Sequence, residues 1–176
     1  MFRNPVFRLH YLLAVTVIHV SLLSQSAVAH PAPFSYLDLN LRDGHVDATL
    51  VVHVFDFAYE LNLEDPAQLL QQDRIELERS TLFALMGDRL TLHADNRVIH
   101  FEAGQIIVLP SRQSVQLTMR YALDDAPGIL RVQAKFFPYD PNHLTFLNMY
   151  ERDTLVAQRI FDPSRLEHEY FTGTSD

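Results

Sequence analysis

From Ser35 onward apolar and polar residues alternate, with Leu37, Leu39 and Leu41 interleaved with Tyr36, Asp38 and Asn40. A period of two is that of a half-buried strand. Asp43-Gly44 then supplies a hairpin-type turn. The next run sets Val46, Ala48, Leu50, Val52 and Val54 on one face, and Asp47, Thr49, Val51, His53 and Phe55 on the other. This predicts a long second strand through Phe55, with His53 turned away from its main apolar face.

After Asp56 the period changes. Asp65 followed by Pro66 is a helix start, with aspartate as cap and proline at the first helical position. Ile75, Leu82, Phe83 and Met86 recur at helical spacing, and Gly87 is placed to end the segment, so one or two helices are expected between Pro66 and Met86. Strands then resume. Leu90 to His93, Val98 to Glu102 and Ile106 to Leu109 are short candidates. Val115 to Tyr121 and Leu130 to Phe136 alternate across the turn composition Asp124-Asp125-Ala126-Pro127-Gly128. His143 to Tyr150, Leu155 to Phe161 and Glu167 to Phe171 complete the set. Many short strands with frequent turns and few helices predict a mainly β fold, an immunoglobulin-like antiparallel β-sandwich with a helical insertion.

Ahead of this pattern, Met1 to Ala29 has the three parts of an export signal. Arg3 and Arg8 form a basic start, Tyr11 to Leu23 an apolar middle, and Ala27-Val28-Ala29 a small-residue cleavage site. The apolar middle falls short of the roughly 20 residues of a membrane span. The expected organisation is a signal peptide over 1–29 and one extracytoplasmic domain over 30–176, periplasmic or secreted after cleavage. A retained leader would anchor the domain to the membrane instead. Among 176 residues, 48% hydrophobic and 11% aromatic suffice for a core. Loss of the leader removes two arginines and no acid, taking the net charge from −8 to −10. Nucleic acid is disfavoured as a partner, since its phosphates need a basic surface. With no cysteine the chain has neither disulfides nor thiolate chemistry.

Cleavage after Ala29 would make His30 the first residue. A terminal histidine offers an imidazole and a free α-amino group, which loses its proton far more readily than a lysine ammonium. Two such nitrogens suit Cu(II) or Ni(II). Seven histidines lie beyond the leader: His30, His45, His53, His93, His100, His143 and His168. No H-E-x-x-H cluster occurs, so the fold would have to assemble any metal site from separate strands. His53-Val54-Phe55-Asp56 places imidazole and carboxylate near a strand end, and Tyr139-Asp140-Pro141-Asn142-His143 places another such pair in a loop opening a strand. The candidate site is His30 with His53 or His143, and Asp56 or Asp140 as ligand or supporting partner. In the plainer alternative His53 is a solvated strand residue, Asp56 caps a turn and Asp140 initiates a proline turn. His45, His93, His100 and His168 read as surface residues. Neither a G-x-S-x-G elbow nor a glycine-rich phosphate loop is present, so the residues make no case for hydrolysis or another enzymatic activity.

The stretch His30-Pro31-Ala32-Pro33-Phe34-Ser35-Tyr36-Leu37-Asp38-Leu39 resembles the exported N-terminal region of membrane proteins of the HupE/UreJ type. The likeness continues through Val51 to Asp56 and through Phe137-Pro138-Tyr139-Asp140-Pro141-Asn142-His143 to Glu151, and returns at Glu169 to Thr174. Phe-Pro-Tyr-Asp-Pro is its most specific part. The resemblance implies an extracytoplasmic domain that works with an integral membrane protein, in a family associated with nickel or cobalt uptake. Relatives continue into membrane helices, whereas this sequence ends at Asp176, which reads as a free-standing exported domain or a truncated gene. Transport itself does not carry over in either case. Within the matched motifs His30, His53, Asp56, Asp140 and His143 are the polar residues to carry over as a site for Ni, Co or Cu. The alternative is a metal-free module that docks on an envelope component.

Overall fold

The computed structural model describes residues 34–173. The leader, its cleavage site and His30 lie outside the described residues. Among the described residues ten strands form two sheets around one core, with a helical insertion, which is the expected sandwich.

Strands β1 (Phe34–Arg42) and β2 (His45–His53) form the hairpin that alternation predicts, turning through Gly44 at φ 78°. Leu37, Leu39 and Leu41 of β1 face the core, as do Val46, Ala48, Leu50 and Val52 of β2. The second strand is shorter than expected. Val54 and Phe55 belong to helix α1 (Val54–Glu60), whose Phe55 N–H is taken up by the His53 side chain while the Val54 N–H donates to the Gln113 carbonyl. Helical spacing buries Val54, Phe57 and Ala58 together, whereas continued alternation would have put Phe57 on the opposite face from Val54.

The insertion continues as a 3-10 turn (Pro66–Leu70) capped by Asp65, then α2 (Gln72–Leu77) and α3 (Arg79–Arg89). Gly87 does not end α3. A Cβ there would come within 3.1 Å of the Phe101 ring, so glycine lets the helix approach the sheet closely. Leu69, Ile75, Leu82, Phe83 and Met86 join the insertion to the core.

Strands β3 (Leu90–Ala94), β4 (Arg97–Ile99), β5 (Phe101–Leu109), β6 (Ser114–Ala122), β7 (Ile129–Ala134), β8 (Leu144–Glu151), β9 (Thr154–Phe161) and β10 (Glu167–Phe171) follow. One sheet runs β5-β6-β2-β1-β8-β9 and the other β10-β7-β3-β4. The expected strand over Val98 to Glu102 is divided, because the chain changes sheets at His100. β5 is continuous where two strands were expected, and absorbs Gly104 in a register shift between Ala103 and Ile106. Pairing is antiparallel except between β1 and β8, which run parallel with Phe34 opposite Leu144. That parallel pair brings the start of β1, the end of β2 and the start of β8 to one end of the sandwich. Among the described residues no helix is long and apolar enough to cross a membrane.

Candidate functional site

At this end the chain leaves β2 through His53 and enters β8 through the loop Phe137 to His143. His53 Nδ1 accepts the backbone N–H of Phe55 at 3.3 Å, and its ring stacks on Phe55 with centroids 5.1 Å apart. Burial holds the imidazole below its ordinary pKa. One ring nitrogen of His53 is therefore committed to capping α1.

In the loop, Asp140 Oδ1 accepts the Asn142 N–H at 2.8 Å across Pro141. The Asp140 carbonyl accepts the His143 N–H at 3.2 Å. This is the proline turn that the composition Asp-Pro-Asn favours, and it swings His143 inward until 7% of it is exposed. The His143 ring rests on Phe137, with centroids 4.6 Å apart. Its Nε2 lies 3.1 Å from Ser35 Oγ, which is 2.9 Å from Thr145 Oγ1. Its Nδ1 is buried with no hydrogen-bond partner and faces Asp56 Oδ1 at 3.9 Å.

Asp56, in the first turn of α1, is 9% exposed. Its Oδ1 accepts the Tyr139 hydroxyl at 3.3 Å. Burial raises the Asp56 carboxyl to about 6, with the charges of Asp140 and Glu60 adding to the rise and the Tyr139 hydrogen bond opposing it. His143 is pushed down to about 4 by burial, against the pull of Asp140. Both groups resist carrying charge because little water reaches them. Tyr139 is raised too, by burial first and then by Asp56. Beside them Glu60 pairs with Arg89 at 2.7 and 2.9 Å, and Arg89 also donates to the Phe136 carbonyl.

The structure thus brings Asp56 and His143 together and places Asp140 close enough to act on both. His53 stands at the base of the same helix with one nitrogen engaged. Among the described residues no three histidine, cysteine or acidic side chains are grouped to hold a metal ion. Of the ligand set expected from sequence, the described residues bring Asp56 and His143 face to face, while His53 Nδ1 and Asp140 Oδ1 accept hydrogen bonds in a helix cap and a turn. Of the histidines expected at the surface, His100 is exposed. His93 and His168 are half-buried, each with a buried ring nitrogen lacking a hydrogen-bond partner.

Sequence reasoning missed Ser35, Thr145 and Tyr139. Ser35 and Thr145 occupy inward positions of β1 and β8 in phase with Leu37 and Leu147, and a polar residue at an inward position was the available signal. Asp56, His143 and Ser35 follow one another as the members of a nucleophile relay do. Here, however, Ser35 is fully buried and shared with Thr145, and an imidazole held near 4 is a weak base. The hydroxyl orients the ring. Ser35 Oγ can accept from Nε2–H or donate to Nε2; when it accepts, Nδ1 presents its lone pair toward Asp56, the tautomer a metal ligand needs.

Bonds of about 2.1 Å from one ion to nitrogen and oxygen place the two donors about 3 to 4 Å apart, so the observed 3.9 Å lies at the wide end. A cleft of about 140 Å³ bordered by Asp140, His143 and Thr145 lies against the outer side of His143, and Asp56 does not line it. Compared with known proteins, the chain matches no protein-family model and no curated protein.

Proposed function

We propose that this chain is an exported β-sandwich module that holds a divalent transition metal, Ni(II), Co(II) or Cu(II), at the Asp56 and His143 end for an integral membrane partner. The observation that carries the reading is the buried His143 Nδ1, without a hydrogen-bond partner, facing the Asp56 carboxylate. A buried polar atom left unpaired costs about 1 to 3 kcal/mol, and an ion shared with a carboxylate removes that cost. Neutral imidazole and carboxylate are the forms that bind borderline divalent ions. Two protein donors leave most of a coordination sphere open. On sequence grounds His30, as a mature N-terminus with imidazole and amine, is a further candidate metal ligand, and water can fill open positions. The motif likeness to HupE/UreJ-type exported regions supports the same metals and a membrane partner.

Isothermal titration of Ni(II), Co(II) and Cu(II) tests this on protein beginning at His30. Asp56→Asn and His143→Gln should each weaken binding by at least about tenfold, and a residue added before His30 should weaken it independently. Binding that none of the three changes would contradict the reading. A second reading, a metal-free docking module, is favoured by the exposed side chains of Phe55, Tyr59 and Tyr139 at this same end.

A further inference from the structure

Phe55 and Tyr59 are 49% and 61% exposed, and Tyr139 is 36% exposed. Phe55 and Tyr59 are four residues apart on α1 and share one face of the helix. Tyr59 stacks on Tyr139, with ring centroids 3.9 Å apart and planes at 27°. The three rings therefore make an apolar surface directly above Asp56. Solvent-facing aromatics grouped in this way mark contact sites, since scattered single ones would need no explanation.

Acidic groups dominate this surface. Asp56, Glu60 and Asp140 all lie close enough to raise the Tyr139 hydroxyl. Arg89 is tied to Glu60 and to the Phe136 carbonyl, and among the described residues neither Asp56 nor Asp140 forms an ion pair with an arginine or lysine. Beneath them His143 Nδ1, in a residue more than nine-tenths buried, points into the cluster without a hydrogen-bond partner. The whole chain carries a net charge of −8.

We propose that Phe55, Tyr59 and Tyr139 form the docking surface for an arginine-bearing segment of the partner protein. The inference rests on the partner named in the proposed function and adds where, and by what chemistry, that partner is met. A guanidinium is the cation that fits both features, because its plane stacks on a tyrosine face while its fork reaches a carboxylate. A lysine ammonium meets the charge but not the stacking. An anionic lipid surface is repelled by the same carboxylates. Opposite net charges also speed encounter between the two proteins.

The test uses two short capped peptides, one alternating leucine with arginine and one alternating leucine with glutamate, and vesicles of phosphatidylcholine. Binding is followed without metal at about 50 mM salt by chemical-shift changes of the α1 and 137–143 amides. The arginine peptide should bind at least tenfold more tightly than the glutamate peptide, and should weaken as salt screens the carboxylates. Tyr59→Ser, an exposed position, should reduce its binding about three- to fivefold, as expected for an exposed cation–aromatic contact. Asp140→Asn should reduce it as well. Equal binding of both peptides, vesicle binding without peptide binding, or an unchanged affinity in Tyr59→Ser would overturn the proposal. Metal titration of the unsubstituted protein separates the two readings. Metal binding with no peptide binding overturns the docking surface alone, and peptide binding with no metal binding overturns the metal alone.

Discussion

His143 Nδ1 and Asp56 Oδ1 face each other at 3.9 Å, both buried, one on the loop that enters β8 and the other in the first turn of α1. Neither residue is near the other in sequence. The parallel pairing of β1 with β8 and the hairpin of β1 with β2 bring them to the same end of the sandwich. The pair is accordingly sensitive to protonation, to the hydroxyls that fix the ring and to the contacts that hold α1 in place.

The two pKa shifts give opposite slopes of stability against pH. Asp56 is raised to about 6, so it contributes stability that is present below the ordinary carboxylate range and is lost as pH rises through 6. His143 is lowered to about 4, so it contributes stability that is present above about 6.5 and is lost as pH falls through 4. Between pH 4 and 6 the two contributions oppose each other, so in the unsubstituted protein this pair adds little slope of its own. Asp56→Asn should lose stability on acidification over that window, by about 2 kcal/mol. His143→Gln should gain stability over the same window. Urea unfolding at pH 4 to 7.5 measures all three proteins, and identical slopes would show that the pair is not buried as described.

Ser35 bridges His143 and Thr145 with no exposure to solvent. Ser35→Ala should cost about 1 to 3 kcal/mol, because His143 Nε2 and Thr145 Oγ1 both lose a partner in a buried site. The same change should also weaken metal binding, since the hydroxyl holds the imidazole ring in place. A variant of unaltered stability and metal affinity would mean that water replaces the hydroxyl without loss.

Arg89 ties α3 to α1 through Glu60 and to the loop before His143 through the Phe136 carbonyl. Arg89→Met should destabilise the fold by about 2 kcal/mol, below the 3 to 5 kcal/mol typical of a fully buried pair, because both partners keep some solvent contact. Hydrogen exchange should then rise first in α1 and in residues 137–143. Exchange that rises uniformly would argue that the ion pair does not anchor these two segments.

The sandwich was legible wherever one face of a strand is buried. Leu37, Leu39 and Leu41 alternate because β1 is covered on one side only, and Asp43-Gly44 marks its turn. Legibility failed where a side chain overrides the local period. Alternation ran on through Val54 and Phe55, yet His53 caps a helix there, and no pattern distinguishes a capping histidine from a strand histidine. Gly87 read as a stop although it serves close packing against Phe101. At the site, Asp56 and His143 could be named singly from their motifs. Their meeting depends on the parallel partnership of β1 with β8, which carries no local signature. The polar residues Ser35 and Thr145 at inward positions were the one cue to a buried hydrogen-bonded end, and Tyr139 gave none.

The most direct test of the central claim is the affinity of the protein beginning at His30 for Ni(II) or Cu(II), measured by titration between pH 5 and pH 8. The account predicts one ion per chain, weakening as pH falls because the donors must be deprotonated, and weakened at least tenfold by His143→Gln. Equal affinity in the protein and in His143→Gln at every pH would contradict it.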